Sequence, residues 1–286
     1  MVCTNDNSQS RLEWSDYADA DRTAFVNAIK CLMRKPSAGS QYPGSQNRYE
    51  DLVAVHRDML PNVHQTSSFL PWHRYFVWVF QQMLQEECGF TTPLPWWDET
   101  KNAGNFGASD LFSSQWFGEL PLKTSSGQGT CVSNGAFANI TLHIGPGDSD
   151  TNHCLSRGEA REDTKQCNSD YVNSCLSQSA FGDFSTCLEL GPHGYGHNGI
   201  GAVMSDVASA VGDPIFFMHH SFVDHTFRLW QNANASRLTT ISGCADAECT
   251  PITLDYVLSS GGLAPNMTVG NALNTLSTSL CYRYDY

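Results

Sequence analysis

The sequence has no apolar run approaching the ~20 residues of a membrane span, so no transmembrane helix is expected. Positive charge is scarce. Sixteen Lys and Arg stand against 29 Asp and Glu, a formal net charge of −13. A chain this acidic is repelled by nucleic acid and by anionic membrane surfaces. No C-x-x-C pair occurs among the cysteines, which argues against a zinc ribbon or a dithiol redox motif. The N-terminal MVCTNDNSQS lacks the apolar core of a signal peptide. There is no internal repeat and no linker that would divide the chain, so its 286 residues read as one large core rather than an array.

Cysteine itself is plentiful. Eleven are present, and Cys154, Cys167, Cys175 and Cys187 crowd one polar stretch. Without metal-binding spacing, disulfides in an oxidising compartment fit this count, each contributing ~2–4 kcal/mol. An odd number leaves one thiol free or paired outside the chain. Three sequons, at Asn139, Asn234 and Asn266, agree with secretion. The reading is a mature extracellular protein whose signal has been removed.

Apolar residues at helical spacing predict helices over 15–35, 49–60 and 74–87. Pro36 and Pro61 are the expected stops of the first two. The third carries aromatics at 75, 76, 78 and 80, so it is buried on most sides. Residues 100–188 are rich in Gly, Ser, Asn and Asp and read as loops with a few short strands, stapled by cysteines. Helices resume near Leu190. The expected fold is mainly α: an antiparallel four-helix bundle with long disulfide-linked loops.

Five of the ten histidines fall between His193 and Gln231. His193 and His197, four apart, share a helix face and can grip one metal ion. His219 and His220 follow the run Asp213 to Met218. A second set, His56, His64 and His73, lies upstream. Burying so many imidazoles without partners is costly, and metal ligation removes that cost. His143 and His153 read as ordinary histidines. H-G-Y-G-H has zinc-protease spacing, but Gly194 stands where the catalytic glutamate would be. No carboxylate completes a two-His-one-carboxylate iron site. All-imidazole ligation suits copper or zinc, and two facing sets suit a pair of redox metals sharing a substrate. A dizinc hydrolase is the remote alternative.

Two longer signatures carry a resemblance. His64-x4-Phe69-Leu70-x-Trp72-His73-Arg74 and Asp213-Pro214-x-Phe216-Phe217-x-x-His220-x3-Asp224 resemble the motifs of the type-3 dicopper family of tyrosinases, catechol oxidases and molluscan-type haemocyanin units. The compact length resembles short secreted fungal polyphenol oxidases. The resemblance covers most of the chain and implies that the bundle encloses two copper ions. His56, His64 and His73 would hold one; His193, His197 and His220 would hold the other. His219 would be left to the pocket wall. Asp224, one turn past His220, is placed to orient an imidazole or to form a salt bridge. Arg11 and Tyr282-Arg283-Tyr284 resemble the arginine and tyrosine motif that close the catalytic domain. The resemblance implies one catalytic domain over 1–286 without the lid domain of many relatives, most simply as a monomer.

The family pattern is broken in places. Gln81 replaces a glutamate, His225 replaces an arginine, and Pro95-Trp96-Trp97-Asp98-Glu99 differs at two positions from the family segment. Asn62 stands where many members carry a cysteine thioether-linked to the second histidine. No such crosslink is expected at His64, and an intact mass for the His64 peptide checks this.

The resemblance also implies the chemistry: o-diphenols leave as o-quinones, and O2 is reduced to water. Phenol hydroxylation further requires a deprotonated phenol, whose pKa is near 10, so a base must assist. Glu189 is the candidate to orient a water for that step. Gly194 occupies a position that is often asparagine in efficient tyrosinases, which favours diphenol oxidation. Asn198 is expected at the entrance, Val207 over the second copper as an open gate, and Phe216 against the metal centre beside the substrate. The alternatives are a true tyrosinase and a haemocyanin-like O2 carrier.

Overall fold

Helix α1 (Asp19–Arg34) buries Phe25, Ile29 and Leu32, the stripe its spacing dictates. It begins later than expected because Glu13 caps a separate 3-10 turn, Trp14–Asp16, accepting from the Ser15 N–H. Helix α2 (Arg48–Val63) is capped by Asn47, which accepts from the Glu50 N–H. It does not stop at Pro61. The proline sits in the last turn, where it forfeits one backbone bond, and the burial of Val63 holds that turn closed. Helix α3 (Phe69–Cys88) starts earlier than the pattern suggests. Pro71 lies in its first turn, where a backbone N–H has no helical acceptor to lose. Gly89, at φ 68°, ends it in the left-handed conformation. The structure, a computed structural model, describes residues 2–125 and 129–286.

The middle of the chain holds more helix than its composition announces: α4 (Arg161–Thr164), α5 (Ser169–Leu176) and α6 (Phe181–Leu188). Each is too short for a clear apolar period, so packing decides. The Cys175–Cys187 bridge ties α5 to α6, and Phe184 stacks on Trp230 with ring centres 4.7 Å apart. The strands here are pairs of two residues, Thr130–Cys131 with Ser156–Arg157 and Thr141–Leu142 with His153–Cys154. Helices α7 (Gly194–Ile200), α8 (Ile215–Asn232) and the short α9 (Val269–Leu273) complete the chain.

Helices α2 and α3 form an antiparallel pair, α8 packs along α3, and α1 covers the outside of α2 and α3. Phe80 and Phe217 stack at 3.7 Å between α3 and α8. The expected α-helical bundle with short strands is what is found. The first turn of α8 is fixed by Asp213, which accepts two hydrogen bonds from buried Arg157, at 2.6 and 2.8 Å, and one from the Ile215 N–H. Five disulfides join Cys3–Cys281, Cys31–Cys88, Cys131–Cys154, Cys175–Cys187 and Cys244–Cys249. Cys167 is free and buried. Among the described residues no helix is long and apolar enough to cross a membrane.

Candidate metal centre

Six imidazoles meet where α2, α3, α7 and α8 face one another. His56 comes from the middle of α2, His64 from its C-terminal cap, and His73 from the second turn of α3. Their ring centres are 4.9–5.7 Å apart. His193 ends a π-helical turn, Glu189–His193, that leads into α7. His197 lies within α7 and His220 on α8. Their ring centres are 4.6–5.5 Å apart. Across the two sets, His73 stacks on His220 at 4.4 Å.

Three of the rings are held by Nδ1 and offer Nε2. His73 Nδ1 bonds to the Phe69 carbonyl at 2.8 Å, His193 Nδ1 to Glu189 O at 2.9 Å, and His197 Nδ1 to Met204 O at 2.7 Å. The Nε2 atoms of His56, His73, His193 and His219 are buried without a partner among the described residues. His197 Nε2 and His220 Nε2 face each other at 3.3 Å. Two nitrogens ~2.0–2.1 Å from one tetrahedral ion would be separated by about this distance. Burial pushes all six pKa values below the ordinary one, His64 to about 4, and neighbouring imidazoles lower the other five further. The rings are therefore neutral and able to ligate. In each set the ligand atoms lie within 4.8 Å of one another. The donor set fits two ions held by nitrogen.

His219 also reaches within that distance of the second set. Its Nδ1 is 2.5 Å from Glu99 Oε1, both residues are fully buried, and its Nε2 has no partner among the described residues. Burial lowers His219 to about 3 and raises Glu99 well above its usual range, so burial favours the neutral form of this pair. Gly196 makes room for it: a Cβ there would stand 2.5 Å from the His219 ring. Sequence reasoning missed Glu99. Its only signal was an acidic residue closing the aromatic segment 95–99.

Asp224 does not orient an imidazole. It pairs with Arg74 Nε at 2.5 Å and Arg11 at 3.6 Å, and accepts from the hydroxyls of Tyr282 and Tyr284. Arg11 lies over the Tyr282 ring at 3.5 Å, as the motif at the chain ends implied. Gln81 accepts from Arg11 at 2.9 Å, and His225 stacks on Trp96 at 3.8 Å. His143 bonds to Glu50 and half-buried His153 to Thr151 O, both away from the centre.

A cleft of about 430 Å³ opens over the histidines, lined by His64, Glu189, His193, Gly194, His197, Asn198 and Val207. Gln65, Leu190, Tyr195 and Met204 also line it and were not anticipated. Leu190 is 62% and Val207 52% exposed at the rim. Phe216 does not reach this cleft. It is buried behind the imidazoles, stacked on His220 at 4.1 Å, because α8 turns it toward the core. Glu189 Oε1 accepts the Gln65 N–H at 2.6 Å, and burial pushes its pKa up to about 7.

The geometry defines a class: a helical protein with paired three-histidine metal sites under an open cleft. The model of the common central domain of tyrosinase matches residues 46–233, and the chain belongs to that family. It is similar to a tyrosinase-like protein, phomQ2, of Diaporthe leptostromiformis, with 31% identity covering 97% of this chain and 73% of that one. It is also similar to N-acetyl-6-hydroxytryptophan oxidase ivoB of Emericella nidulans, with 25% identity covering 99% and 94%. A solved mutant polyphenol oxidase of Thermothelomyces thermophila superposes with a TM-score of 0.89, at 27% identity, over 100% of this chain and 91% of that one. An octopus hemocyanin unit, at 17% identity and a TM-score of 0.62, shares the fold. The protein is thus an oxidoreductase of the type-3 copper polyphenol oxidase family, and its cofactor is a dinuclear copper centre.

Proposed function

We propose that this protein oxidises o-diphenols to o-quinones with O2 and hydroxylates monophenols only weakly. His56, His64 and His73 would hold one copper, and His193, His197 and His220 the other. His219 is assigned to the wall because the second motif aligns its ligand with His220, and adjacent helix residues point ~100° apart. When bound, the copper pair supplies the electron transfer: each diphenol loses two electrons and two protons, and one O2 accepts four of each to give two waters.

The chain's own residues bring the phenol in and hold its proton. Val207 and Leu190 offer an apolar rim to the ring, and exposed Asn198 offers a side-chain amide to a hydroxyl. Glu189, half-ionised near pH 7, is matched to take up a phenolic proton. The Gln65 N–H fixes one of its oxygens.

The observation that carries the preference for diphenols is Gly194. It lines the cleft and offers no polar side chain to work with Glu189 on a water. The reaction is tested by comparing kcat/KM for a monophenol and the matching catechol. Tyrosine hydroxylated without a lag, as fast as the catechol is oxidised, would sink the preference. Reversible oxygenation without phenol turnover would instead identify an O2 carrier. Five disulfides support an extracellular location.

A further inference from the structure

The cleft over the histidines does not end at Glu189. A second cavity of about 320 Å³ shares Gln65, Glu189 and Leu190 with it. One face of α6 and its extension forms a wall of this cavity. Gly182, Ser185, Thr186 and Glu189 recur there at spacings of three to four residues. The loop 65–67 and Cys244, bridged to Cys249, form the rest of the lining.

The chemistry of this annexe differs from that of the cleft. Its hydroxyls come from Thr66, Ser67, Ser185 and Thr186. Thr66 and Ser67 donate to the carbonyls of Asn62 and Ser242, at 2.9 and 3.0 Å, so they present lone pairs to an incoming donor. The hydroxyls of Ser185 and Thr186 have no partner among the described residues and can donate or accept. Glu189 is the one ionisable side chain in the lining. An anionic group entering here would lose its water without meeting a countercharge. The space above Gly182 is open, since a Cβ there meets nothing within 4 Å.

We propose that the annexe is a substrate subsite, taking a neutral amide- or hydroxyl-bearing substituent while the phenol ring lies over the histidines. This rests on the phenol-oxidase reading of the cleft. A simple catechol leaves the annexe to water. An amide chain crossing the exposed Leu190 replaces that water and keeps its hydrogen bonds.

The test uses the copper-loaded enzyme with catechol, N-acetyl-Dopa-glycinamide and the anionic N-acetyl-Dopa-glutamate. The wild type is expected to favour the glycinamide over the glutamate at least tenfold in kcat/KM. Gly182→Trp fills the annexe from a helical position whose φ is not in the left-handed range. It should lower the glycinamide-to-catechol ratio of kcat/KM at least tenfold. Thr186→Trp, one turn along α6, should do the same and stands in where the first variant fails to fold. A ratio unchanged within twofold in a folded variant overturns the subsite. Anaerobic calorimetry separates the two readings. Glycinamide bound by the wild type and released by the tryptophan variants, with no diphenol oxidised in air, would keep the subsite and refute the reaction.

Discussion

Adding one methyl group at Gly196 should cost the protein its second copper before it costs the fold. A Cβ at 196 would lie 2.5 Å from His219 Cε1, 2.8 Å from its Nδ1 and 3.0 Å from Glu99 Oε2. Ordinary contact begins near 3.4 Å, so α7 and the His219 ring must part by 0.9 Å (3.4 − 2.5). The ring cannot yield alone, since it is fully buried and bonded to Glu99. Overpacking of this kind costs ~1–3 kcal/mol, while alanine recovers ~1 kcal/mol over glycine inside a helix. The net loss is about 0–2 kcal/mol, a fall in Tm of up to about 5 °C. Metal sites tolerate only ~0.2 Å, and α7 carries His197 while His193 caps its start. Copper per chain, measured after equilibrium dialysis, should fall from two toward one in Gly196→Ala. Gly194→Ala is the companion, because its Cβ would meet only Glu189 O at 3.3 Å, and it should retain both ions. Two coppers and a wild-type Tm in Gly196→Ala would refute the packing argument.

Gly194→Asn should raise monophenol turnover relative to diphenol turnover, read as a shorter lag on tyrosine; an unchanged ratio would leave Gly194 without a role in substrate choice. Asp224→Asn strands buried Arg74 and should cost ~3–5 kcal/mol by chemical denaturation. Burial raises the Asp224 pKa, but Arg74, Arg11 and the two tyrosines outweigh it and hold the carboxyl below its usual 3.8. Its stabilisation is therefore present above pH 3.8 and lost as pH falls through the lower folded value. That acid-side loss should be missing in the variant. Removing copper with a chelator should lower Tm and adding it back should restore it, since an ion held at 100 times its Kd contributes ~2.7 kcal/mol.

The histidine sets were legible in the sequence because their chemistry is written in spacing. His197 follows His193 by four positions, and a long aromatic motif surrounds His73. The helix ends were less legible. Pro61 and Pro71 look alike on paper, yet one sits in a last turn and the other in a first, and only packing assigns them. Short α5 and α6 escaped notice because two turns are too few to mark out a stripe such as Phe181, Phe184 and Leu188, and a disulfide and Trp230 help hold them in place. The Glu99–His219 pair spans 120 residues of sequence, and no local pattern announces so distant a bond. Phe216 was assigned to the substrate because it lies within the second motif. The motif gives proximity to His220 and not the side of the ring from which Phe216 approaches.

The Cys3–Cys281 bridge turns this chain, in topological terms, into a ring. Closing a loop of 278 residues removes ~5–6 kcal/mol of unfolded-chain entropy by loop-closure arithmetic. It also changes what a protease can do. One cut anywhere between those cysteines leaves a single covalent molecule, with Arg11, Tyr282 and Tyr284 still gathered around Asp224. A nicked sample should run as one band without reductant and as two with it.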